Sequence, residues 1–179
     1  MKTVLNPKPA AAFKNATLYK KLSFIRQISF GLYFTNAFFQ RILRIDGDLK
    51  YNKHYTSRVV GSKLLTIEND SLLPRKSLAV SGGCYINACG GIFIGEGTIW
   101  SANVTIVSIG HDFSNFDLVP ETRPIRIGRN CWLGAGAVVL PGIQLGDRTI
   151  VGANSVVTKS FEEGHVIIAG VPAREIKAV

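Results

Sequence analysis

The amino-acid sequence predicts an all-β solenoid, a parallel β-helix preceded by an N-terminal helical arm and closed by a short C-terminal tail. Three observations carry this. Ile127, Leu133, Val139, Leu145, Val151 and Val157 are aliphatic residues spaced by six without a miss. Four of them are followed directly by glycine: Gly128, Gly134, Gly146 and Gly152. Four residues after the aliphatic position stand Cys131, Ala137, Ile143, Thr149 and Ser155, mostly small. Neither the 3.6-residue period of a helix nor the two-residue period of a strand gives this combination. A flat, three-sided solenoid does: each hexad supplies one short strand and one corner, the aliphatic side chain points inward, and glycine eases the corner backbone.

Taken in chain order, residues 1–60 form the arm and residues 61–179 the solenoid domain. In the arm, Leu18, Leu22, Ile25, Leu32, Phe39 and Ile42 or Leu43 approximate a helical stripe, with Gly31 as the expected break between two helices. Weak hexads run from Ile67 and Leu73 towards Ile86, and the frame recurs at Ile94-Gly95, Trp100 and Ile106. Trp100 is oversized for a coil interior, so its coil is expected to be widened or to lie near a flank. Between Ile106 and Ile125 the frame breaks. Residues 111–124 read as a loop thrown out of the solenoid, a place where repeat scaffolds carry function; a tolerated surface insertion is the plainer alternative.

Charge separates arm from body. Residues 1–63 hold 12 Lys/Arg against two acids, Asp46 and Asp48, whereas residues 64–179 hold nine against ten. A nucleic-acid-binding domain carries its basic stripe on the folded body; this body is neutral, and nucleic acid is not expected as a partner. A basic arm suits an anionic surface or lipid. Its longest uncharged stretch, Gln27 to Gln40, is 14 residues, short of the ~20 a membrane span needs. After Lys2 the chain reads Val4-Leu5-Asn6-Pro7, without the apolar run of a secretory signal. Two readings of the arm stand open: helices packed on the body or on a sister subunit, or an amphipathic segment lying in a membrane interface. The cysteines Cys84, Cys89 and Cys131 follow no metal or disulfide pattern and suit a reducing, cytoplasmic setting.

Several runs then carry a resemblance: Ile94-Gly95-Glu96-Gly97-Thr98, Ser108-Ile109-Gly110-His111-Asp112, Pro124 through Ala135, Val139 through Asp147, Ile150 through Lys159, and Ile168-Ala169-Gly170-Val171-Pro172-Ala173-Arg174. Over residues 65–176 the sequence resembles the hexapeptide-repeat acyltransferases, and in particular their O-acetyltransferase branch, which includes galactoside acetyltransferase and enzymes modifying capsule, exopolysaccharide or O-antigen sugars. The resemblance implies a left-handed coil, against the usual hand of parallel crossovers. It also implies acetyl-CoA as co-substrate, a sugar hydroxyl as acceptor, and a homotrimer with sites at subunit boundaries.

The same resemblance assigns residues. His111 aligns with the family's catalytic histidine; as general base it would take the acceptor hydroxyl proton and return it to the leaving thiolate, a role that suits an imidazole pKa near ~6.5. No acyl-enzyme is required, so Cys131 is read as core. Asn87 is the acceptor-side candidate by alignment; Trp132, one residue before the inward Leu133, faces out, and an outward tryptophan implies cover by the acceptor, by pantetheine or by a trimer neighbour. Ala135, Ala153, Thr158, Lys159 and Arg174 are the acetyl-CoA candidates: the alanines let pantetheine pass close to the backbone, and the cations pair with its phosphates. Without the resemblance, Asn87 reads as a corner residue and Lys159 and Arg174 as solvated charge. Only His54, His111 and His165 are available, and one histidine in the repeat region does not make the three-histidine zinc site of a solenoid hydratase; no metal is expected. The competing readings are a xenobiotic O-acetyltransferase and a non-catalytic scaffold whose arm recruits membrane or protein partners.

Overall fold

The computed structural model describes residue 19 and residues 22–179; Leu18 of the expected arm stripe lies outside them. The aliphatic hexads form three flat sheets around a triangular core. In the first coil β1 (Arg58–Val60) and β2 (Leu65–Ile67) occupy two sides and a helix, α3 (Leu72–Val80), the third. The second coil is β3 (Tyr85–Asn87), β4 (Ile92–Ile94) and β5 (Ile99–Trp100), and the third β6 (Thr105–Val107), β7 (Ile125–Ile127) and β8 (Trp132–Leu133). The fourth is β9 (Val138–Val139), β10 (Gln144–Leu145) and β11 (Ile150–Val151), and the last runs from β12 (Val156–Val157) to β13 (Val166–Gly170). Stacked coil on coil, these make sheet A (β1-β3-β6-β9-β12), sheet B (β2-β4-β7-β10) and sheet C (β5-β8-β11-β13), all parallel. β14 (Ala173–Ala178) folds back antiparallel on β13.

The inward positions are those the period picks out. Ile86, Ile106, Ile127, Leu133, Val139 and Val157 are wholly buried, as are Ala137, Thr149 and Ser155 in the small positions. Each large aliphatic rung removed from water contributes ~1.5–3 kcal/mol.

The glycines after the aliphatic positions act differently from the expectation. Gly95, Gly128, Gly134 and Gly146 are not left-handed; they are where consecutive coils touch, and a Cβ on Gly128 would lie 2.6 Å from the Asp147 backbone nitrogen. Left-handed corner geometry falls instead on Gly97 and Gly136 and on the asparagines Asn130 and Asn154 of the next coil. Each such glycine leaves room for the asparagine side chain beneath it: a Cβ on Gly136 would meet Asn154 Oδ1 at 2.2 Å.

Three expectations need correction. Leu73 is no hexad: it lies on α3, 45% exposed, because the helix replaces the strand of sheet C in the first coil. The arm breaks at Ser29 (φ 77), not Gly31, separating α1 (22–28) from α2 (Phe30–Ala37), which runs on as a π-helical turn, Phe38–Ile42. The first rung begins at Arg58, ahead of residue 61. Trp100 faces inward beneath α3, the flank position expected; its backbone N–H donates to Ser77 Oγ (3.2 Å) and its backbone carbonyl accepts from Ser81 Oγ (2.8 Å).

Candidate active site at the sheet A–sheet B edge

Where sheet A turns into sheet B, the second coil uses a four-residue corner after Asn87, and the third coil throws out the loop that begins at Ser108 and returns at Ile125. The two are tied together. Ser108, wholly buried, accepts the Gly90 N–H through its hydroxyl (2.8 Å) and donates that hydroxyl to the Asn87 carbonyl (2.8 Å). Its own carbonyl accepts from Thr122 Oγ1 (2.9 Å), closing the far end of the loop. Ser108 therefore pins Asn87, the loop entrance and the loop exit to one point. It stands two residues after the inward Ile106, outside the small positions of the hexad, so the period gave no signal for it.

The loop holds itself up by short-range hydrogen bonds. The Asp112 N–H donates to the Leu118 carbonyl (3.0 Å), and the Asp112 carboxylate accepts from the Ser114 N–H (2.7 Å), the Ser114 hydroxyl and the Asn115 N–H (3.3 Å). These donors, the Ser114 hydroxyl first, hold that carboxyl below its ordinary range. Asp112 thus shapes the loop and does not orient the neighbouring histidine.

The group that does is a backbone carbonyl. His111 Nδ1 lies 2.7 Å from the Phe116 carbonyl oxygen. A carbonyl only accepts, so Nδ1 carries the proton and the lone pair is left on Nε2. The ring is exposed. A histidine fixed in this tautomer, with its basic nitrogen open to solvent at the loop mouth, is equipped to accept a proton. Sequence reasoning missed Phe116 because any residue offers a carbonyl. Around it the loop presents Phe113, Phe116, Leu118 and Val119, all exposed.

The remaining candidates divide between two edges of the prism. Asn87 and His111 lie on the sheet A–sheet B edge; Thr158 and Lys159 follow β12 on the same edge two coils further on, Lys159 resting over the Phe161 ring at 5.3 Å. Asn87 is in a strand, not in the left-handed corner geometry of the plainer alternative. Ala135 and Ala153 are both exposed on the sheet C–sheet A edge, one above the other, joined by the Asn154 N–H donating to the Ala135 carbonyl (2.8 Å). Trp132 faces out from sheet C in the row Ile99, Trp132, Ile150, Ile167, and is 48% exposed. Arg174 is the second residue of β14, at the end of that sheet. Within one chain the two sets are separated by the width of sheet A, on the order of 10 Å at ~3.3 Å per residue. Cys131 is buried, and burial pushes its thiol up, consistent with core. Among the described residues no three His, Cys, Asp or Glu side chains gather as a metal site.

Comparison with known proteins adds to this geometry. A family profile described as "Hexapeptide repeat of succinyl-transferase" matches residues 124–159. The chain is 30% identical over 184 residues to the putative lipopolysaccharide biosynthesis O-acetyl transferase WbbJ of Escherichia coli K12, with 92% of each chain covered. It is 36% identical over 96 residues to the galactoside O-acetyltransferase of the same organism, where it spans 44% of the relative's length. Among solved structures its fold is similar to AntD, an N-acyltransferase from Bacillus cereus in complex with dTDP and 3-hydroxybutyryl-CoA, with a TM-score of 0.54 at 19% identity, covering 70% of this chain and 78% of that one.

Proposed function

The chain belongs to the hexapeptide-repeat acyltransferases, left-handed parallel β-helices, in their sugar O-acetyltransferase branch, and from that premise we propose that it transfers acetyl from acetyl-CoA to a sugar hydroxyl. The acceptor is a surface polysaccharide or its lipid-linked precursor, and the enzyme works in the cytoplasm, in peripheral contact with the inner membrane face through residues 1–50. The observation that carries the reading is the His111 tautomer. With Nδ1–H held on the Phe116 carbonyl, Nε2 takes the proton of the attacking hydroxyl as its oxygen bonds to the thioester carbon. The C–S bond then breaks, and the imidazolium returns the proton to the thiolate of CoA. Protons balance and no covalent enzyme intermediate forms.

Acetyl-CoA is held from both edges. The exposed methyls of Ala135 and Ala153 let a pantetheine chain lie against the backbone of the sheet C–sheet A edge. Lys159 and Arg174 form no ion pair among the described residues and supply cations for its phosphates. Thr158 adds a hydroxyl beside Lys159, and Asn87 contacts the acceptor next to His111. The two edges lie apart in one chain, and a homotrimer brings one edge of a subunit against the other edge of its neighbour, with Trp132 and its apolar row facing that boundary.

The test is calorimetric titration of acetyl-CoA into the full chain, beside a Lys159→Ala, Arg174→Ala double variant and a light-scattering mass. One saturable site per chain, weakened about tenfold or more in the variant, on a particle of three chains, is expected. Absence of binding at millimolar acetyl-CoA overturns the donor assignment, and a monomeric mass overturns the two-edge site.

A further inference from the structure

The arm turns one face to the body and leaves the other bare. Phe24, Ile25 and Ile28 are buried, and Tyr33 packs with Phe24 and Ile28 against Ala79 of α3. Asn36 and Gln40 continue that face as fully buried polar pegs. Asn36 Nδ2 donates to the Ala79 carbonyl (3.0 Å) and Gln40 Nε2 to the carbonyls of Leu49 (2.9 Å) and Tyr51 (2.8 Å). The pegs fix the rotation of the helix. On the other side Phe30, Phe34, Phe38 and Ile42, four residues apart, are 58, 61, 49 and 69% exposed, with the first two rings stacked at 6.5 Å. This ridge cannot turn onto its own solenoid without breaking the pegs, and a row of large apolar side chains on a fixed helix marks an interaction surface.

Charge decides the partner. Residues 1–45 carry eight Lys/Arg and no Asp or Glu, and Arg26 and Arg44, bracketing the ridge in sequence, are exposed. The next acid, Asp46, has a side chain only 6% exposed and paired with Lys53 (3.4 Å) and Arg58 (3.2 Å), so it does not offset this field. Ridge-to-ridge contact between two copies would set two acid-free cationic segments against each other. An anionic bilayer supplies both an apolar layer for the phenyl rings and the countercharge. No described helix is long and apolar enough to cross a membrane.

We propose that the Phe30–Phe34–Phe38–Ile42 ridge lies in the interface of an anionic lipid surface and docks the protein there. The inference rests on the peripheral contact in the reading above and gives it a specific surface. The arm packs on α3 at the first-coil end of the prism, so that end meets the lipid. The His111 loop leaves two rungs further on, about 10 Å along the axis at ~4.8 Å per rung, a distance suited to an acceptor whose lipid anchor stays in the bilayer.

Sedimentation of the full chain with vesicles of equal phosphatidylglycerol and phosphatidylcholine, and with phosphatidylcholine alone, reads binding without turnover, so failure of the ridge is told apart from failure of the transfer chemistry. The protein is expected to pellet with the anionic vesicles and at least about tenfold less with the neutral ones. A Phe34→Glu, Phe38→Glu variant should lose the binding at unchanged oligomeric mass. Phe34→Trp, a substitution the exposed site accommodates, should show emission shifted to the blue on adding anionic vesicles, beyond any change in the parent. No pelleting of the parent, equal pelleting of the glutamate variant, an unshifted Phe34→Trp emission, or a fall in oligomeric mass caused by the glutamates (which would make the ridge a subunit interface) would each overturn the proposal.

Discussion

The same edge of the prism is crossed after β9 by Leu140–Ile143 and after β6 by the loop from Ser108 to Pro124, and the two crossings are stabilised by opposite means. The short one is closed by stacking: Leu140 N–H donates to the Val157 carbonyl of the next coil and Ile143 fills the core. The long one has few such neighbours and closes on itself through Asp112, Asn115 and the Phe116 carbonyl. Register-locked stacking leaves a side chain no freedom of placement. A loop bonded to itself can carry a histidine clear of the ladder and fix its tautomer. The regular corner teaches stability, and the irregular one function.

Two glycines break or sharpen the contrast most strongly. Gly134 lies where a Cβ would stand 2.6 Å from the Ala153 backbone nitrogen, whereas Gly110, next to His111, has nothing within 4 Å. Gly134→Ala should cost about 3 kcal/mol or more, because backbone must shift in two coils at once, lowering Tm by roughly 6–12 °C for a chain of this size. Gly110→Ala should stay within about 0.5 kcal/mol. Thermal denaturation of both variants checks this; equal losses would mean that the loop is as tightly laddered as the coils.

A smaller effect is expected inside the loop. Asp112→Ala removes the acceptor for three donors of the 112–115 turn and should reduce kcat/KM about tenfold with little change in Tm, since the turn is exposed. Because the folded carboxyl sits below its ordinary range, its ordering effect is complete above the ordinary carboxyl pKa. It is lost only as pH falls through the lower folded value, so loss of activity between pH 6 and 5 would not trace to this group.

The coils hold the smallest effect. Glu68 accepts from Arg129 Nε (2.8 Å), from a second Arg129 nitrogen and from the Glu96 N–H (3.0 Å), which draw its pKa from 4.5 to about 2. A depressed carboxyl stabilises above its unfolded pKa and loses that contribution as pH falls through the folded one. Stability of the parent and of Glu68→Gln, compared by denaturant titration, should therefore differ slightly at pH 7 and converge between pH 4.5 and 2, with the pH 7 difference shrinking in salt.

What could be read from sequence follows the same division. From Ile125 to Val157 the period announced every rung, because each inward position has one function and one size. Leu73 misled, since a leucine at the right interval serves a coil or a helix equally, and only the contact of α3 with the Trp100 rung separates them. The break at Ser29 was hidden by a neighbouring glycine with the stronger turn propensity. At the candidate site, type and motif single out His111 and Asn87 in the sequence, and the structure sets both on one edge of the prism. The Phe116 carbonyl was not legible, because backbone acceptors leave no mark in sequence, and the division of the candidates between two edges emerges only when the coils are wound.

The central claim is that His111 Nε2 is the base for acetyl transfer, and its most direct test is CoA release from acetyl-CoA over a panel of sugar acceptors, parent against His111→Ala, with acetyl-CoA affinity measured on both. Turnover is expected to fall about 10²–10⁴-fold while affinity and Tm stay near the parent values. Turnover of the variant within about twofold of the parent would contradict the account and return the loop to the status of a surface insertion.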